Sequence, residues 1–132
     1  MNLQDIYKQQ LMDHAQHPRN QGILQPADID YYEVNTTCGD ELRLTLQLKN
    51  GLVHTAQFTG KGCVISQSAA SLMTEHFKGK NITQLKQLNK EDVLKILGTT
   101  VAPGRIKCAT LILKTLQRGI YLYERGEHHA QH

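Results

Sequence analysis

The sequence has few aromatic residues and little excess charge, and both shortages limit its possible partners. It contains no tryptophan, two phenylalanines and five tyrosines among 132 residues. A surface that stacks nucleic-acid bases needs several exposed rings beside a basic groove. Here the formal net charge is only +3, and no block of basic residues is longer than two. We therefore expect no nucleic-acid partner.

Long hydrophobic runs are also missing. A membrane-spanning helix needs about 20 consecutive apolar residues, and here polar residues soon interrupt each apolar cluster. Residues 1–5 contain neither the basic nor the apolar region of a secretory signal peptide. These absences predict a cytoplasmic protein with no membrane partner.

Cysteine is scarce, with only Cys38, Cys63 and Cys108 present. An odd number cannot pair completely within one chain, and a cytoplasmic chain keeps its thiols reduced. The separations of 25 and 45 residues match no local zinc-finger pattern, so a shared site would have to be assembled by the fold. The alternative is that each cysteine is a small buried hydrophobic side chain.

The hydrophobic pattern predicts a helix, then about three strands, then only helices. Alternating leucines from Glu41 to Lys49 predict a strand with one buried face. Asn50 and Gly51 predict a type I′ turn into a partner strand at residues 52–59. A shorter strand is expected at residues 31–34. The expected helices cover residues 3–14, 64–76, 82–88, 90–97 and about 107–120. This order predicts an α+β fold, with helices packed on one face of a small antiparallel sheet.

The chain reads as one domain followed by a short tail. Its 132 residues are one ordinary domain's length, and no repeat or linker divides them. We assign residues 1–125 to the domain. Residues 126–132 form a polar tail that contains three histidines and is expected to be disordered.

The cysteines fall at the ends of the predicted elements, where a rigid scaffold presents functional groups. We expect Cys63 and Cys108 to begin helices, and the partial positive charge of a helix N-terminus would favour their thiolates. Asp40, two residues after Cys38, could supply an oxygen as a fourth ligand. Three thiolates and a carboxylate suit Zn²⁺ or the iron of a cluster. Arg105 and Lys107 are expected to compensate the negative charge of such a site.

These residues resemble the U-type iron–sulfur cluster assembly family, which comprises IscU, SufU and the N-terminal domain of NifU. The resemblance covers nearly the whole chain. Its motifs are Asp13-His14, His17-Pro18-Arg19-Asn20, Thr37-Cys38-Gly39-Asp40, Gly62-Cys63 and Lys107-Cys108-Ala109. It implies an α+β fold with the three cysteines and the aspartate at one end.

The resemblance also implies a function in iron–sulfur cluster assembly. Cys38, Asp40, Cys63 and Cys108 match the residues that hold Zn²⁺ or a transient [2Fe–2S] cluster. Cys108 matches the thiol that accepts persulfide sulfur from a cysteine desulfurase. The other implied partners are downstream proteins that receive the cluster. The expected activity is sulfur acceptance or scaffolding rather than that of a conventional enzyme.

Three departures from the family patterns bear on the subtype. Isc-type proteins have a histidine where this chain has Lys107, and a Leu-Pro-Pro-Val-Lys stretch where this chain has Val-Ala-Pro-Gly-Arg at residues 101–105. Both features resemble SufU, but the longer SufU insertion between the second and third cysteines is absent. The sequence therefore favours zinc-dependent sulfur transfer. The alternatives are a [2Fe–2S] scaffold and, outside this class, a structural zinc module.

Overall fold

A computed structural model describes residues 2–126, which include a three-stranded antiparallel sheet in the order β1-β2-β3. The strands are β1 (Ile29–Asn35), β2 (Asp40–Lys49) and β3 (Leu52–Lys61). Asn50 and Gly51 join β2 to β3 with φ values of 55° and 77°. Positive φ at both central residues is the requirement of a type I′ turn. The predicted hairpin is therefore confirmed.

Six α-helices belong to the described part of the chain. They are α1 (Leu3–Gln16), α2 (Val64–Phe77), α3 (Ile82–Lys86), α4 (Lys90–Leu97), α5 (Ile106–Ala109) and α6 (Leu111–Glu124). The side chains of Asn81 and Asn89 accept backbone N–H groups at the starts of α3 and α4, as their sequence positions predicted. A short 3₁₀ turn, Pro103–Arg105, leads into α5.

The helices cover one face of the sheet and bury the alternating leucines of β2. Leu42, Leu44 and Leu46 are fully buried, where α6 packs on β1 and β2 while α2 packs on β3. The opposite face carries polar pairs, including Arg43 with Asp30. This is the α+β arrangement that the periodicity predicted.

Several element boundaries differ from the prediction by a few residues, and two of these differences have a clear structural cause. The expected last helix from residue 107 is divided at Thr110, whose φ of −99° and ψ of 5° separate α5 from α6. The first strand begins at Ile29 rather than residue 31 because Ile29 is 1% exposed and packs beside Gly119 of α6. A pattern of apolar spacing detects neither a one-residue break nor a contact made by a distant glycine.

Between residues 2 and 126, no helix is both long enough and apolar enough to cross a membrane. The predicted disorder of the tail falls on residues 127–132, which lie outside the described residues.

Candidate metal centre

Antiparallel pairing brings the start of β2 beside the end of β3. Asp40 is the first residue of β2, and its neighbour Glu41 pairs with Lys61 at the end of β3. Cys63 lies two residues beyond Lys61 and immediately precedes α2, which begins at Val64. The sheet register therefore places Asp40 next to Cys63.

Cys38 and Cys108 lie in two other segments of the chain and come close to Asp40. Cys38 lies in the turn between β1 and β2, and Cys108 lies in α5. Their sulfur atoms are 3.0 Å apart. The ligand atoms of Cys38, Asp40 and Cys108 all lie within 4.8 Å of one another. Three of the four residues predicted for the site thus form a compact group.

The Asp40 carboxylate forms hydrogen bonds with Cys38 and Cys63. Its Oδ2 accepts the thiol of Cys38 at 3.0 Å and that of Cys63 at 3.5 Å, and its Oδ1 accepts the Cys63 backbone N–H at 2.9 Å. Cys63 is the fourth predicted residue, and it joins the compact group through this carboxylate. Burial raises the pKa of Asp40, but these hydrogen bonds outweigh burial and lower it below the usual value. The carboxylate is therefore ionised at neutral pH.

Cys108 does not have the thiolate-favouring environment that the sequence predicted. It lies inside a helix of four residues and is 1% exposed. Burial, followed by the neighbouring Cys38, Asp40 and Cys63, raises the pKa of Cys108 to about 12. Without a metal ion this thiol is protonated at neutral pH. The prediction failed because it considered only the helix terminus and the nearby basic residues, and not burial or the three neighbouring groups.

The two basic residues before Cys108 occupy different positions. The pKa of Arg105 is raised by its hydrogen bond with Cys108 and by the charge of Cys63, as expected for a residue that compensates negative charge. Lys107 lines a separate cavity with Thr37 and Lys114. The structure thus brings Arg105 into electrostatic contact with the thiols, and charge compensation by Lys107 stays a prediction.

Gly62 is a site residue that the sequence motif contained without indicating its role. A Cβ atom at this position would lie 2.3 Å from Oδ1 of Asp40 and 2.7 Å from Oγ of Ser66. Its φ of +156° is also unfavourable for other residues. Only glycine therefore allows the end of β3 to approach the Asp40 carboxylate so closely.

The donor set fits a small thiophilic metal ion. Tetrahedral Zn²⁺ has Zn–S bonds of about 2.3 Å, which places its sulfur ligands roughly 3.8 Å apart. Because the Cys38 and Cys108 sulfurs are 3.0 Å apart, an ion would require them to separate by less than about 1 Å. Cys38 is exposed, Cys63 is partly exposed and Cys108 is buried, so the group of thiols lies at the protein surface with Cys108 on its inner side. The ionised Asp40 supplies a hard oxygen donor beside the soft thiols.

A match to a family model tests the resemblance that the sequence motifs indicated. Residues 6–130 match the model described as the NifU-like N-terminal domain. The chain belongs to this family. Since the match covers most of the chain, the predicted resemblance to U-type assembly proteins is confirmed.

Two relatives with assigned names cover almost the full chain. The zinc-dependent sulfurtransferase SufU of Bacillus subtilis (strain 168) is 37% identical over 142 aligned positions, with 95% of this chain and 96% of the relative covered. The iron–sulfur cluster assembly scaffold protein IscU of Thermotoga maritima is 33% identical, with 87% and 92% covered. The SufU alignment is longer than the 132 residues of this chain. That relative therefore has residues within the alignment that this chain lacks.

Solved structures of family members have the same fold. A candidate iron–sulfur cluster assembly scaffold protein for the SUF system, from Fervidobacterium islandicum AW-1, has a TM-score of 0.72 at 26% identity, and the match covers 90% of this chain and 99% of that chain. The N-terminal part of a NifU-like protein from Brucella abortus has a TM-score of 0.74 at 17% identity, covering 92% and 96%. The α+β fold is confirmed.

Proposed function

We propose that this protein takes part in iron–sulfur cluster assembly as a zinc-dependent sulfur acceptor. The observation that carries the proposal is the convergence of three thiols on one ionised carboxylate at one end of the sheet. The similarity to the zinc-dependent sulfurtransferase SufU supports it. The sulfur donor would be a cysteine desulfurase, and both proteins would work in the cytoplasm.

Cys38, Asp40, Cys63 and Cys108 would hold the zinc ion. When bound, zinc would keep these thiols as thiolates near neutral pH. Asp40 would be the most easily exchanged ligand because a carboxylate is harder than a thiolate. Arg105, whose guanidinium interacts with Cys108 and Cys63, would compensate part of the negative charge.

The exposure of the thiols favours Cys38 as the first acceptor. The sequence resemblance assigned persulfide acceptance to Cys108, but Cys108 is 1% exposed. Cys38 is exposed, and its sulfur lies 3.0 Å from that of Cys108. A docked donor can therefore reach Cys38 without movement of the chain, whereas Cys108 becomes reachable only if this end of the sheet opens.

The transfer step is a thiol–disulfide exchange in which the oxidation states balance. The acceptor thiolate attacks the terminal sulfur of the donor's persulfide, and a new S–S bond forms on this protein. The donor's S–S bond breaks and its cysteine leaves as a thiolate. The proton of the terminal sulfur stays with the transferred sulfur, so no external oxidant or reductant is needed.

Mass spectrometry can test this step with the zinc-loaded full chain and a desulfurase that carries a persulfide. We expect one sulfur atom to be added to the peptide that contains Cys38, and no addition in Cys38→Ser. Sulfur retained in Cys38→Ser but lost in Cys108→Ser would assign acceptance to Cys108 instead. Failure of the unmodified chain to gain sulfur would refute the proposed function.

A second candidate function is that of a scaffold on which a [2Fe–2S] cluster is built and passed to downstream acceptor proteins. The similarity to the IscU scaffold of T. maritima favours it, and the same four residues would hold the cluster as cargo. The two functions predict different cargo. Reconstitution with iron and sulfide, followed by transfer to an apo-ferredoxin, should succeed only for a scaffold.

A further inference from the structure

A polar cavity lies beside the thiol group and is not explained by metal binding or sulfur transfer. Its volume is about 320 Å³. Its walls are the end of β1 with the following turn, and the junction of α5 with α6. These two segments carry Cys38 and Cys108 respectively. The cavity is therefore built from the same two pieces of chain as the compact thiol group.

The lining of the cavity supplies donors and positive charge. Lys107 and Lys114 are both exposed lining residues, and Thr36, Thr37 and Thr110 add hydroxyl groups. None of the described lining residues is acidic. The carboxylate that pairs with Lys114 is that of Glu33, with an N–O distance of 3.8 Å. That distance is too long for a hydrogen bond. The Glu33 carboxylate instead accepts a hydrogen bond from the Arg118 guanidinium.

The first turn of α6 opens onto this cavity without a capping group. Thr110 precedes the helix, but its hydroxyl donates to the Ile106 carbonyl rather than accepting an N–H of α6. The first turn of α6 contains no acidic residue. Neither the Thr110 side chain nor an acidic side chain in the first turn therefore compensates the partial positive charge at the start of this 14-residue helix.

Asn35 provides an independent indication of a ligand. It lines the cavity and is only 9% exposed. Its Oδ1 accepts the N–H of Thr37, while its Nδ2 is the single buried side-chain nitrogen or oxygen without a partner among residues 2–126. An unpartnered buried donor costs about 1–3 kcal/mol. A ligand with acceptor oxygens would remove that cost.

We propose that this cavity binds a small oxyanion group, either a carboxylate or a phosphate. The cavity offers two lysines, the hydroxyls of Thr36 and Thr37, the unpartnered amide of Asn35 and a helix N-terminus. These groups complement negatively charged oxygen atoms. The oxyanion group could belong to a free metabolite or to an acidic side chain of the sulfur donor. The second source rests on the proposed function. A bound oxyanion would bridge the segments that carry Cys38 and Cys108.

Two-dimensional NMR of the zinc-loaded full chain can test the binding of free anions. Inorganic phosphate and glutarate would be titrated separately at constant ionic strength. We expect saturable shifts of the Thr36, Thr37 and Leu111 amides. Affinity should fall roughly tenfold in Lys114→Gln and in Asn35→Asp, because each change removes a charge-assisted hydrogen bond. Lys95→Gln, an exposed lysine of α4, is the matched control and should bind normally.

A second measurement distinguishes the source of the anion. If neither probe binds, Lys114→Gln should still weaken the affinity for the desulfurase while Lys95→Gln does not, which would identify an acidic side chain of the donor. The inference is overturned if the probes do not bind and both lysine variants bind the desulfurase like the unmodified chain. Sulfur acceptance would be measured in the same samples. Normal acceptance together with a negative binding result would overturn only the anion site and leave the proposed function intact.

Discussion

At the residue scale, Asp40 organises the site because both of its oxygens are used. One oxygen accepts the thiols of Cys38 and Cys63, and the other accepts the Cys63 backbone N–H. The motif Cys38-Gly39-Asp40 showed that a carboxylate stands near a thiol. It could not show that Gly62, more than 20 residues later, provides the space in which that carboxylate lies.

Gly62→Ala should therefore weaken zinc binding. The added Cβ would overlap Oδ1 of Asp40, so the carboxylate must move. Displacing such a supporting contact lowers metal affinity by about 10–100-fold in characterised sites, and we expect a loss in that range. Competition with a chromophoric chelator measures the affinity. Gly104→Ala is the control because a Cβ there meets nothing within 4 Å, and equal affinities in the two variants would contradict the account.

The exposed and buried thiols should differ in reactivity. In metal-free protein, iodoacetamide should modify Cys38 before Cys108, because Cys108 is 1% exposed and burial raises its pKa to about 12. The rate at Cys108 should continue to increase with pH beyond the range in which an ordinary thiol, with a pKa of about 8.5, reaches its plateau. Peptide mass spectrometry resolves the two sites. Equal initial rates at neutral pH would show that the site is open in solution.

At the element scale, α1 and α2 are joined by a buried histidine. His14 is 7% exposed, and its Nδ1 lies 2.7 Å from the Ser71 hydroxyl of α2. Ser71 also accepts the backbone N–H of Arg19. The spacing of His14 and His17 could hold a metal ion, but the sequence favours a role at the end of the helix. In the structure His14 joins α1 to α2 through Ser71.

This contact predicts a loss of stability in mild acid. Burial, followed by the charge of Arg19, lowers the pKa of His14, although Asp13 and Glu75 act in the opposite direction. The unfolded chain therefore binds this proton more readily than the folded chain. The free energy of unfolding should fall as the pH decreases below about 6.5, the value of an unperturbed histidine, and should be insensitive to this group above it.

Urea denaturation between pH 7 and pH 5 can measure this effect. His14→Asn retains an acceptor near the Nδ1 position but cannot titrate in this range, so its stability should depend less on pH. His54→Asn, at an exposed histidine of β3, should behave like the unmodified chain. The same pH dependence in all three proteins would exclude His14 as the cause.

The elements themselves were largely predictable, for reasons that differ among them. The hairpin was clear because strict alternation and an Asn-Gly turn are local signals. The starts of α3 and α4 were clear because an asparagine cap is also local. The break at Thr110 was missed because apolar spacing continues from α5 into α6. The wrong prediction of a thiolate at Cys108 has another cause, because apolar spacing does not show that this residue is buried beside Cys38, Asp40 and Cys63.

At the scale of the whole molecule, we expect the hydrophobic core to fold without a metal ion. The buried leucines of β2 belong to a cluster of buried hydrophobic residues to which α2 and α6 also contribute, and this cluster of described residues contains none of the three cysteines. Phe58 and Phe77 are also fully buried in this core. A zinc ion at the site would therefore hold three segments together without replacing the core.

Metal-free protein should remain folded. Thermal unfolding after removal of zinc should stay cooperative with a lower Tm, because a ligand that binds only the folded state stabilises it by mass action. Circular dichroism and calorimetry measure the transition. A non-cooperative, largely unfolded metal-free chain would instead support a structural zinc module.

The arrangement of the whole fold was predictable in class but not in detail. Strands grouped before helices indicated the α+β class, and the motifs indicated that the cysteines converge. The distances within the site depend on the register between β2 and β3, and no residue type encodes that register alone. The cavity beside the thiols was not foreseen because its walls come from segments about 70 residues apart, as are Cys38 and Cys108.

The zinc, iron and acid-labile sulfide contents of protein purified without oxygen test the central claim most directly. Mild chelation beforehand would remove metal held by the histidines of residues 126–132. Zinc-dependent sulfur transfer predicts about one zinc ion per chain, bound through the four residues of the site, with no sulfide. Iron and sulfide in equal amounts, without zinc, would contradict the claim and identify a cluster scaffold.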